Sequence, residues 1–352
     1  MAALRGDPDI LRHIFNSLHM KPFSLRPLTV AMRVNKAWCR IGQDILYTVV
    51  ELNLGMSADM SQPRPVIRLM KTLDNSQSCA TAVRHLVIKS VSLHSSDLQD
   101  LLLSILKKTT ELLSLDIDMK PLDSAPLLSE SLLSSTDFLP RLSALNTNDS
   151  RLVGILSPGR PVRVVRVEDW MTFEEYRLLS SRMTYATSSM EQLQLQLTVD
   201  NRETITQLFL TLTETFSSVS ILGIQMKFPR PQDVTWQSLG DILSELGHAL
   251  SRSYSLSAFS LAVSPDPSPP ADNQPDGRRR VIDFEGKTEE MGKAMVTKHG
   301  STLRRVELRW HGWTIDSSNA WTPINQEKLL RRSWSYAETR DHARPPCTIP
   351  DR

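Results

Sequence analysis

The chain has 352 residues, 40% of them hydrophobic and 23% charged, with a formal net charge of +2. That length exceeds what one globular core usually serves, so two domains or a repetitive architecture is expected. The near balance of charge excludes the strong field that a nucleic-acid or membrane-surface binder carries. Three cysteines, Cys39, Cys79 and Cys347, are odd in number and far apart, which argues against a disulfide framework and for a reducing compartment. The first residues are charged (Arg5, Asp7, Asp9, Arg12), and no stretch approaches the roughly 18 apolar residues of a membrane span. A soluble protein of the cytoplasm or nucleus is expected.

The N-terminal fifty residues predict short helices. Asp7 suits an N-cap, and Pro8 suits the first helical position, where no backbone N–H is needed. Ile10, Leu11, Ile14, Phe15 and Leu18 then fall on one broad stripe. A second apolar helix carries Leu28, Ala31, Met32, Val34, Ala37, Trp38 and Ile41, followed by Ile45, Leu46 and Tyr47, which lead into Val49-Val50-Glu51-Leu52. So small a unit cannot bury these side chains unaided. Its apolar face needs either the rest of the chain or another protein.

Asp7-Pro8-Asp9-Ile10-Leu11, Ile14-Phe15, Val34-Asn35-Lys36-Ala37-Trp38 and Ile45-Leu46-Tyr47 resemble the F-box, especially its fungal form, over residues 4–52. Asp7 stands where that family usually has Leu. The resemblance implies a three-helix module over residues 1–52. It would dock on the Skp adaptor, and through it on the cullin scaffold, of an SCF-type cullin–RING ubiquitin ligase. It also implies Pro8, Ile10, Leu11, Ile14, Leu18, Val34 and Trp38 as the adaptor contacts. The other reading of the same residues is a helical cap packed on the rest of the chain.

After residue 80 one pattern recurs: an alternating strand, a loop, then an amphipathic helix. Strands are predicted at 83–89, 112–118, 142–148, 162–168, 190–197, 219–225, 256–262 and 303–309, nearly all reading φ-x-x-φ-x-φ with φ apolar. Leu86, Leu115, Leu145, Val165, Leu193 and Leu222 mark the middle φ, at spacings of 29, 30, 20, 28 and 29 residues. Helices are predicted at 97–113, 173–190, 203–216 and 236–250, with caps at Ser96, Thr172 and Asn201. Each unit is too small to bury both faces, so stacked neighbours must supply the core.

This pattern resembles a divergent leucine-rich-repeat solenoid, which implies a curved β-α ribbon over residues 53–330. The competing fold is a doubly wound α/β sheet. It is disfavoured because the strands alternate rather than run continuously apolar, and because no Gly-rich turn follows any strand. Residues 264–280 hold five prolines and no aromatic residue and read as a disordered insertion between repeats. Residues 331–352 read as a loose tail. Trp310, Trp313, Trp321 and Trp334 read as a cover for the last repeat.

Nothing in the chain points to catalysis, a metal or a cofactor. The eight histidines form no H-x-H or H-E-x-x-H pattern and have no C-x-x-C partner, and Gly286-Lys287-Thr288 lacks the first Gly of a phosphate loop, since position 281 is Val281. No enzyme activity is expected. In each strand the residues between buried positions point to the opposite face. That face carries Lys89, Asp116, Asp118, Asn146, Asn148, Arg166, Glu168, Gln194, Gln196, Gln225, Glu307 and Arg309. It is amide-rich with mixed charge and suits a protein target rather than nucleic acid. With this face as the target site, the F-box resemblance implies a ligase substrate receptor; the alternative is a repeat scaffold that recruits no ligase.

Overall fold

A computed structural model describes residues 11–14, 26–54, 64–90, 96–119, 134–183, 190–199, 202–227, 255–264, 304–308, 311–315 and 321–323. The chain is α/β, and it divides into two compact units, Met1–Asn148 and Asp149–Arg352.

In the first unit the strands are β1 (Val49–Asn53), β2 (His85–Ser90), β3 (Ser114–Met119) and β4 (Ala144–Thr147). All pair in parallel and in chain order, with Val50, Leu86, Leu115 and Leu145 in register as one buried row. Helices α1 (Arg26–Ala31) and α2 (Lys36–Leu46) precede β1. Helices α3 (Arg64–Asn75) and α4 (Gln77–Ala82) connect it to β2, and α5 (Ser96–Lys108) connects β2 to β3. The second unit opens on α6 (Ser150–Leu156). It continues with β5 (Val164–Met171), α7 (Phe173–Met183), β6 (Gln192–Thr198), α8 (Arg202–Thr215), β7 (Ile221–Lys227), β8 (Ala258–Ser264) and β9 (Arg305–Leu308). These five strands are again parallel and in chain order, around the buried row Val165, Leu193, Leu222, Phe259 and Val306. Two antiparallel strands, β10 (His311–Ile315) and β11 (Trp321–Pro323), extend the sheet beyond β9. Within neither unit does the strand order reverse, as it would in a doubly wound sheet.

One hydrogen-bond device repeats at the leading end of the strands. A single carbonyl accepts the N–H groups of two successive residues in the next repeat. Thr48 receives Arg84 and His85, Arg84 receives Leu113 and Ser114, and Leu113 receives Ser143 and Ala144. The second unit repeats it: Arg163 receives Glu191 and Gln192, Glu191 receives Ser220 and Ile221, Ser220 receives Ser257 and Ala258, and Ser257 receives Arg304 and Arg305. At three steps a serine hydroxyl donates to the same carbonyl: Ser143 at 2.9 Å, Ser220 at 3.0 Å and Ser257 at 2.9 Å. A carbonyl has two lone pairs, so this leaves neither N–H unpaired where the chain turns into the strand.

The device also explains where the strands start. The first φ of each motif (Val83, Leu112, Leu142, Val162, Met190, Val219 and Leu256) is buried, yet it lies two residues ahead of the ladder. The predicted helix over residues 28–41 is two helices, broken because Asn35 adopts extended backbone and accepts the Trp38 N–H at 2.9 Å as the N-cap of α2. The predicted helix over 97–113 stops at Lys108. There the buried Thr109 turns its hydroxyl back to the Leu106 carbonyl at 3.0 Å. The cap at Thr172 forms as a full capping box: Thr172 N donates to Glu175 Oε2 at 2.8 Å, and Glu175 N donates to Thr172 Oγ1 at 3.3 Å. Asn201, the helix predicted at 236–250, residues 265–280 and the tail from 331 lie outside the described residues.

Candidate protein-interaction surfaces

Three aliphatic side chains near the N-terminus are exposed, and Val34, predicted within a helix, lies in the turn between α1 and α2. Val30 is 64% exposed, Val34 60% and Ile14 46%, large values for aliphatic side chains. Trp38 is half-buried on the first turn of α2. Leu11 points the other way, only 6% exposed, so the stripe that contains it also serves packing within the chain. Pro8, Ile10 and Leu18 lie outside the described residues. Helix α2 packs on α4, and Tyr47, at the C-cap of α2, has its phenol pushed up by burial and by the neighbouring Cys79. β1 pairs with β2, so the ladder begins inside the segment read as the N-terminal module.

The open sheet face of the first unit carries the residues expected there. Lys89, Asp116, Asp118, Asn146 and Asn148 are exposed or half-buried, while the alternate positions Leu86, Ile88, Leu115, Ile117 and Leu145 are buried. Lys89 Nζ pairs with Glu51 Oε1 at 2.8 Å, and Asn148 Nδ2 donates to Asp118 Oδ1 at 3.2 Å. The hydrogen bond to Glu51, and then its charge, hold the Lys89 amine above its ordinary value, with Asp116 and Asp118 adding to the effect.

In the second unit the open face is read row by row from the register. One row is Arg166, Gln194, Gly223, Ser260 and Glu307, and the next is Trp170, Gln196, Gln225 and Ala262. Arg166 Nε pairs with Glu168 Oε1 at 3.3 Å, and Arg305 Nε donates to Glu307 Oε1 at 2.6 Å. Arg309, expected beside them, lies outside the described residues. Between Arg166 and Trp170, β5 spends four residues where β6 spends two, a bulge. The insertion is even, so Trp170 returns to the same face as Arg166. Lys227 Nζ sits 5.6 Å from the centre of its ring.

Trp170 and Lys227 belong to this face but are absent from the sequence-predicted set. The sequence motif closes at Glu168, and only the alternation resuming at Trp170-Met171, just before the Thr172 cap, signals that the strand continues. Lys227 lies two residues beyond Gln225, one more step of the same period. Among the described residues no helix is long and apolar enough to cross a membrane, and no cluster of His, Cys, Asp or Glu could hold a metal ion. No protein-family model and no curated protein matches the chain.

Proposed function

We propose that the chain is the substrate receptor of an SCF-type cullin–RING ubiquitin ligase. In this reading it holds the Skp adaptor, and so the cullin scaffold, through its N-terminal helices, and a protein target through the open face of a curved, leucine-rich-repeat-like solenoid. It needs no catalytic residue of its own. A bound target meets the transfer machinery at high effective concentration because both are tethered to one chain. Its place of action is the cytoplasm or nucleus.

The observation that carries this reading is the exposure of Ile14 and Val34, apolar side chains left uncovered at positions that the F-box resemblance assigns to the adaptor. Covering each stabilises a complex by on the order of 1 kcal/mol. Chain-order parallel strands and the repeated carbonyl device support the solenoid. The test is co-purification of the adaptor with the full chain carrying Ile14→Asp and Val34→Asp. Both positions are exposed, so the circular dichroism spectrum should be unchanged while the adaptor is lost. Retention of the adaptor by this variant refutes the reading.

A second reading, a scaffold whose N-terminal helices only cap the repeats, is favoured by the packing of α2 on α4 and by the pairing of β1 with β2. It predicts that even the unmodified chain captures no adaptor. Removing residues 1–52 does not separate the two readings, because it strips β1 from the sheet in either case.

A further inference from the structure

We propose that the end of the second unit's open face formed by Trp170, Gln196, Gln225 and Lys227 is an anchor site. Its ligand is an extended protein segment in which an acidic side chain neighbours an apolar one. The argument begins with charge. The described arginines of this face each have a carboxylate partner, Arg166 with Glu168 and Arg305 with Glu307. Lys227 differs: it is exposed, and among the described residues no carboxylate pairs with it. Its ammonium sits 5.6 Å from the centre of the Trp170 ring, which leaves its donors available to an incoming anion.

The bulge in β5 brings the ring there. Trp170 aligns with Gln196 on β6, yet its half-buried indole and the Lys227 side chain from β7 meet, so the two side chains between them span β6. A ring held in this way offers a flat apolar platform, and tryptophan is among the residues that most often dominate protein interfaces. Gln196 and Gln225 are register partners beside it, and their amides can donate to and accept from the backbone of a segment lying along the sheet. The ligand is thereby defined: a carboxylate for Lys227, an aliphatic or aromatic side chain for Trp170, and backbone amides for the glutamines. Nucleic acid fits poorly. It needs a track of cations for successive phosphates, and among the described residues one available ammonium lies on a face that also carries Glu168 and Glu307.

This inference rests on the open face being a recognition surface and holds for receptor and scaffold alike. The test probes the full chain with an array of short peptides carrying Asp or Glu beside Leu, Phe or Trp. Matched arrays carry Gln or Lys in place of the acid. The unmodified chain should prefer the acidic peptides by roughly tenfold, the ratio one well-formed charge pair supplies. Lys227→Glu should move the preference to the Lys-bearing peptides, and Trp170→Ala should erase the preference for the large apolar neighbour. Adaptor capture by Lys227→Glu should equal that of the unmodified chain. Loss of adaptor capture by the unmodified chain with this peptide selectivity intact refutes only the ligase reading. Equal binding to all arrays, selectivity indifferent to Lys227→Glu, or tighter binding of a single-stranded oligonucleotide through the same lysine overturns the proposal.

Discussion

The assignment of the two sheet faces can be tested with a pair of adjacent residues. Leu195 and Gln196 are neighbours on β6, and the alternation sends one into the core and the other to the open face. Leu195 is 1% exposed and aligned with the buried Ile224. Leu195→Ala removes three buried carbons, about 2.4 kcal/mol at the usual transfer value per methylene. The cavity left behind raises this to about 3 kcal/mol. For a unit of this size each kcal/mol lowers the melting midpoint by roughly 2–4 °C, so a drop of roughly 6–12 °C is expected. Gln196→Ala removes an amide from a surface and should change stability by no more than about 0.5 kcal/mol. Thermal melts of the full chain followed by circular dichroism provide the comparison. Equal losses from the two substitutions would show the faces to be wrongly assigned, and the proposed recognition surface would fall with them.

The parallel ladder was legible because its signal is redundant. Leu86 and Ile88, Leu115 and Ile117, and Leu193, Leu195 and Leu197 all repeat the same alternation, and all are buried. The starting points were not legible, because the first φ is buried by the turn into the strand rather than by the ladder, and burial alone does not distinguish the two. Helix α3 escaped notice because its N-terminal half is Arg64-Pro65-Val66-Ile67-Arg68, with the buried Met70 and Leu73 following only later. Helix α6, seven residues long, is too short to show a period. The apolar stripe of the N-terminal helices was visible, but a stripe does not reveal which of its members meet the chain itself. Leu11 is covered and Val34 is exposed, although both belong to the same signature. Trp170 was hidden by a bulge, an irregularity that composition does not announce.

Two further consequences concern stability. The capping box at the start of α7 satisfies two backbone donors and one side-chain donor through Thr172 and Glu175. Thr172→Ala should cost about 1 kcal/mol in urea unfolding, and Thr172→Ser should restore most of it. Unchanged unfolding in the Ala variant would mean that the helix start is held by packing alone. Asp74, on α3, ties that helix to α5 through Lys108 Nζ and Ser104 Oγ, the latter donating at 2.6 Å. The Lys108 and Ser104 hydrogen bonds hold its carboxyl below the usual carboxylate range, while partial burial opposes them. A carboxyl whose folded pKa lies below its unfolded value binds protons more readily when unfolded. Its contribution to stability is therefore complete above the ordinary aspartate range and is lost as pH falls through the depressed folded value. Asp74→Asn removes that titration, so the variant should be less stable than the unmodified chain at neutral pH, and the gap should narrow steadily in acid. If the gap instead stays constant down to the lowest pH at which the chain folds, the α3–α5 tie owes nothing to the charge of Asp74, and the geometry of its hydrogen bonds alone would account for it.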